Sequence, residues 1–125
     1  MTNPHLSAVL HRVHELCQSK RLPIVVFDLD STLFATRGRN HVILERFAAA
    51  HGSSFDGIDA VIGQIQTEEL GWDIRTPLRN RGFTDQAALD ALLAFWKERF
   101  FTDEFVVFDH TNPGAVDYVR RIHEA

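Results

Sequence analysis

The chain carries one cysteine, Cys17, so no internal disulfide can form and nothing points to an oxidising compartment. Lysine is almost absent, with only Lys20 and Lys97, and acids outnumber bases, 17 Asp and Glu against 13 Lys and Arg. A net charge of −4 argues against a nucleic-acid backbone as partner, because phosphate contacts need clustered Lys and Arg. No apolar run approaches the ~20 residues of a membrane span. The first residues are interrupted by His and Arg and lack a signal-peptide core. No repeat, low-complexity tract or Gly/Ser linker is present. These absences lead us to expect a cytoplasmic protein that meets neither membrane nor nucleic acid.

What is there suits one small globular domain: 125 residues, 45% of them hydrophobic, enough to bury a core. Asn3 and Pro4 predict a helix start, since Asn caps orphan amides and proline has no N–H to lose there. Leu6, Val9, Leu10, Val13, Leu16 and Cys17 follow at three- and four-residue spacing, one apolar stripe closed by Pro23. Cys17 on that stripe reads as a buried, inert thiol rather than a reactive one.

The run Pro23-Ile-Val-Val-Phe-Asp28 is continuous, β-branched and aromatic, which predicts a strand covered on both faces, as in a parallel sheet. Residues 36–40 read as a turn, and residues 41–50 as a helix with Asn40 as cap and Gly52 as stop. Ile58, Val61, Ile62 and Ile65 form another stripe, and residues 71–82 are expected to be loop-rich. Thr84 is the expected cap of a longer helix bearing Leu89, Leu92, Leu93, Trp96 and Phe100. Trp96 falls on that stripe and reads as core. Phe105-Val-Val-Phe108 is a second strand candidate, with Asp103 and Glu104 in a solvated loop before it. Residues 112–114 open a last helix with Val116, Val119 and Ile122 inward.

The chemistry concentrates in Phe27-Asp28-Leu29-Asp30-Ser31-Thr32-Leu33. Two carboxylates one residue apart at a strand's carboxyl end lie where open α/β sheets bind ligands. Residues two apart on an extended chain face the same way, so both acids reach one crevice. Close carboxylates do not both ionise cheaply, and a hard, oxygen-seeking ion such as Mg²⁺ resolves that conflict. Asp28 then stays ionised as nucleophile or ligand, and Asp30 shuttles a proton. The plainer reading is that these acids end a strand and start a turn, with Asp30 as a cap for the next few residues.

Asp28-Leu29-Asp30-Ser31-Thr32-Leu33 resembles the first motif, DxDx[T/V], of the haloacid dehalogenase-like (HAD) superfamily. The resemblance implies an α/β fold, a HAD-like Rossmannoid core with an α-helical cap inserted after the first strand. On it, residues 1–37 hold the first helix, strand and motif, residues 38–107 the cap, and residues 108–125 the return to the core. It implies that Asp28 forms an aspartyl-phosphate, splitting one displacement into two, while Asp30 protonates the leaving group and then activates water. Mg²⁺ would sit on the Asp28 carboxylate and the Asp30 backbone carbonyl, and the Leu29 and Asp30 amides would cradle the phosphate. The second Asp points to phosphate esters rather than haloacids.

The family's later motifs, a Ser or Thr, a Lys and further acids, are absent from the rest of the chain. Residues 113–125 resemble the helix leading into the second motif, and neither lysine stands where the third is expected. The expectation is therefore the N-terminal part of a phosphohydrolase for a small phosphorylated substrate, its core incomplete and the chain alone inactive. The competing expectation is a non-catalytic or vestigial module that binds a complementing chain through an unpaired strand edge. His11 and His14 are three apart and could be a metal pair, but read better as a solvated face. His110 reads as a turn residue that could approach the crevice. Arg75, Arg79 and Arg81 either steer a phosphorylated substrate or line a solvated loop.

Overall fold

The computed structural model describes residues 3–125. The chain is mostly helical, 59%, and among the described residues its one sheet has two antiparallel strands. These are β1 (Phe34–Ala35) and β2 (His110–Thr111), two residues each. The expected α/β Rossmannoid core is therefore overturned. Residues 23–28, the expected first strand, have no regular structure. A parallel strand exists only through its neighbours' hydrogen bonds, and among the described residues no neighbour forms here. The second candidate is also corrected: α6 (Asp103–Val106) coils where Phe105–Phe108 read as a strand. Asp103 and Glu104 fall in its first turn, where acids favour a helix N-terminus, and Phe105 is buried.

The chain divides into two compact units, one running up to Phe34 and resuming at Thr111–Ala125, the other spanning Ala35–His110. The second holds α2 (Arg37–His51), α3 (Ile58–Gln64), α4 (Thr76–Asn80), α5 (Gln86–Arg99) and α6. Its core joins Ile43, Leu44 and Phe47 of α2 to Ile58 and Ile62 of α3 and Leu89, Leu92 and Phe95 of α5. Phe47 is wholly buried, edge-on to Phe95 at 5.3 Å and stacked on Phe55 at 6.3 Å. Burying a side chain of that size stabilises by roughly 1.5–3 kcal/mol.

Three local expectations change within this unit. Helix α2 starts at Arg37, inside the expected turn, because its polar first turn has buried partners rather than water. Asn40 is buried and caps nothing; its Oδ1 accepts from Trp96 Nε1 at 2.8 Å. Trp96 itself is half-buried against the core. The stretch 71–82, expected to be loop-rich, contains α4, and a 3-10 turn, Thr67–Glu69, precedes it. Asp85, not Thr84, caps α5, its carboxylate accepting from the Ala88 amide at 3.3 Å.

The first unit is built on α1 (Pro4–Gln18) and α7 (Ala115–Glu124). Asn3 caps α1 as expected, Oδ1 accepting from the His5 amide at 2.9 Å. Tyr118 of α7 donates to the Leu6 carbonyl at 2.8 Å. Gly114 enters α7 with φ +82°, a left-handed conformation that suits glycine. Both apolar stripes are thinly covered. Val13 is buried, but Leu6, Val9 and Val116 are exposed, Val119 and Ile122 are half-buried, and so is Cys17. Among the described residues no helix is long and apolar enough to cross a membrane.

Candidate functional site

Asp28 ends residues 23–28, and Asp30 sits in the reverse turn of residues 29–34 that follows. The Leu29 carbonyl accepts from the amides of Leu33 at 3.1 Å and Phe34 at 2.9 Å, while the Ser31 amide donates to the Phe34 carbonyl at 2.8 Å. Ser31 closes this turn with φ +63°, uncommon for a residue with a Cβ. Asn112 ties the turn to the start of α7 in the same unit. Its side chain donates to the Thr32 carbonyl at 2.6 Å and its amide to the Leu33 carbonyl at 2.8 Å. Phe27, just before the acids, meets the Tyr118 ring edge-on at 6.3 Å.

Asp28 is exposed, and one of its oxygens, Oδ2, accepts from the Thr32 hydroxyl at 3.0 Å. That bond orients the carboxylate and leaves Oδ1 without a protein partner among the described residues. Asp30 is half-buried and its backbone bridges to Phe34. The amides of Ser31, Thr32, Leu33 and Phe34 are all spent on carbonyls of the turn itself. Of the expected cradle, the Leu29 N–H makes no hydrogen bond among the described residues. Thr32 was legible as part of the motif, but Asn112 was not, being 80 positions from the carbonyl it holds.

The donor set is all oxygen, which suits a hard cation. Mg²⁺ typically binds through one or two carboxylates and keeps several waters, so Asp28 and Asp30 fit it as partial ligands. Among the described residues no group of three or more His, Cys, Asp or Glu converges on one point. His11 and His14 are exposed on α1, with His11 Nε2 3.5 Å from Glu15 and His14 beside Gln18. His110 is exposed on β2.

Arg75, Arg79 and Arg81, in the other unit, are committed to acids. Arg75 donates twice to Asp73, at 2.9 and 2.8 Å, and Arg79 approaches the same carboxylate at 3.9 Å. Arg75's hydrogen bonds pull the Asp73 carboxyl down to about 2. Arg81 donates to Glu69 at 3.1 and 2.9 Å and holds that carboxyl below its ordinary value. Asp103 and Glu104, expected in a loop, are exposed in the first turn of α6, and Glu104 pairs with Arg46 at 3.3 Å.

No family model matches this sequence, and neither a curated protein nor a solved structure does.

Proposed function

We propose that the loop of Asp28, Leu29 and Asp30 is the nucleophile-bearing part of a Mg²⁺-dependent, HAD-type phosphohydrolase acting on a small phosphate ester in the cytoplasm. The observation that carries this reading is the Asp28 carboxylate, exposed and oriented by the Thr32 hydroxyl at 3.0 Å. In the reaction an Asp28 oxygen attacks phosphorus and the ester oxygen leaves with a proton from Asp30. Asp30 then takes a proton from water, which attacks the aspartyl-phosphate and releases inorganic phosphate. Bound at Asp28 and Asp30, Mg²⁺ would offset charge on the phosphoryl oxygens.

On this reading the chain alone turns over little or no ester. Among the described residues neither lysine bonds the Asp28 carboxylate, and the Leu29 amide offers only a partial charge against a phosphate dianion. A complementing chain that brings cations to the loop would supply the rest.

The test is Mg²⁺ titration of the isotope-labelled chain, followed by beryllofluoride, which mimics a phosphoryl group on aspartate. Amide resonances of residues 28–34 should shift with Mg²⁺, and a fluorine signal from an Asp28 adduct should appear. Both should vanish in Asp28→Asn. Unmoved resonances, or equal shifts in the variant, would overturn the assignment.

A further inference from the structure

Exposure alternates strictly along residues 22–28. Leu22, Ile24 and Val26 are 97%, 90% and 87% exposed, while Pro23, Val25 and Phe27 are half-buried. A period of two is the mark of extended backbone, with successive side chains on opposite faces. Among the described residues no hydrogen bond involves the backbone of residues 22–27. The segment has the side-chain alternation of an extended chain without a sheet to belong to, and is rich in the β-branched residues that pair well across strands.

We propose that this segment pairs antiparallel with the same segment of a second copy of the chain, forming a two-fold dimer. Charge selects the partner and the direction. Lys20 and Arg21 precede the segment, and Asp28 and Asp30 come after it. Antiparallel pairing sets the basic end of each copy beside the acidic end of the other. Parallel pairing would set like charges side by side, which is destabilising.

Pro23 then fixes the edge. In an antiparallel pair, alternate residues direct both N–H and C=O at the partner. Pro23 has no N–H, so the bonding edge is that of Leu22, Ile24 and Val26. A two-fold axis at Val25 sets Ile24 opposite Val26 of the other copy and leaves Pro23 facing outward. The outer edge is interrupted by that proline, so the assembly closes at two rather than growing into a ribbon. So short a ribbon buries little area, which makes the dimer weak and concentration-dependent. The pairing does not rest on the phosphoryl-transfer chemistry.

The experiment is sedimentation of the full chain over a concentration series without Mg²⁺. The mass should rise from monomer towards dimer and stop there. Val26→Lys, at a site outside the core, should keep the chain monomeric while its helical circular dichroism is unchanged. Lys20→Glu with Arg21→Glu should weaken association by about tenfold. Mixing that chain with one carrying Asp28→Lys and Asp30→Lys should restore a heterodimer, because both ends then attract again. A monomer at every concentration overturns the proposal, and so does association that grows past two, ignores Val26→Lys, or is blind to the charge reversals.

Discussion

Arg39 and Asp109 lie 70 positions apart and form an ion pair whose side chains are only 4% and 7% exposed. Arg39 Nε donates to Asp109 Oδ1 at 2.8 Å and a second guanidinium N–H reaches Oδ2. Arg39 also donates to the Phe100 carbonyl at 2.8 Å and lies 4.1 Å from the centre of the Phe100 ring. Removing Arg39 strands the buried Asp109 carboxylate, and removing Asp109 takes a two-point acceptor from the buried guanidinium, so Arg39→Ala and Asp109→Ala should each cost about 3–5 kcal/mol. Replacing both, as Arg39→Met with Asp109→Leu, should cost less than the two single changes together. Urea midpoints of the four proteins measure this; strictly additive losses would show that the pair is not coupled.

Gly38, one residue before that arginine, sits in the first turn of α2. Helix propensity alone predicts a gain of up to ~1 kcal/mol for Gly→Ala. A Cβ at Gly38, however, would stand 2.5 Å from the Phe108 carbonyl oxygen, a backbone atom with little freedom to retreat. Gly38→Ala should therefore destabilise, by about 1–3 kcal/mol. Gly63 in α3 is the control, with nothing within 4 Å of its Cβ position, so Gly63→Ala should be neutral or stabilising. Thermal unfolding of both variants would separate the two effects.

Asp73 links acidity to stability. Arg75's hydrogen bonds lower its carboxyl from 3.8 to about 2 in the folded chain. A folded value below the unfolded one means the stabilisation is complete above the unfolded value and is lost as pH falls towards the folded value. Asp73→Asn should thus flatten the fall in melting temperature over that acid window and leave the pH dependence near neutrality unchanged. The effect should be modest, because the pair is partly solvated. Melting curves of wild type and variant that stay parallel throughout the window would refute the coupling.

The same contrast between near and distant partners explains what could be read from the sequence. The start of α1 was legible because Asn3 caps amides two and three residues away and Pro4 has no N–H to orphan at the first helical position. The buried faces of α3 and α5 were legible because Ile58, Ile62, Leu89 and Leu92 keep helical spacing. Residues 36–40 misled because Arg39 and Asn40 look like turn residues until Asp109 and Trp96 arrive from across the unit. Phe105-Val-Val-Phe108 misled for another reason: a four-residue apolar run fits a buried strand or a short helix equally well. Residues 23–28 do carry the exposure rhythm of a strand, but no sheet forms around them. At the candidate site, the Asp28 and Thr32 contact spans four residues and lay within the motif, whereas Asn112 had no local signal.

Asn112 makes the loop testable apart from its chemistry. Its side chain supplies one tertiary hydrogen bond to the Thr32 carbonyl, and its own amide supplies a second to Leu33. Asn112→Ala removes only the first, a net loss of about 0.5–1.5 kcal/mol for a typical bond. Local opening of the turn should then become about twofold to tenfold more frequent. Hydrogen exchange at the Ser31 and Phe34 amides reads that directly, since both are bonded only when the turn is closed. Exchange at the core amides of Phe47 and Leu92 should not change, because they belong to the other unit. If Ser31 and Phe34 exchange at the wild-type rate in Asn112→Ala, the turn is held by its internal bonds alone. The orientation of Asp28 would then owe nothing to the 112 side chain.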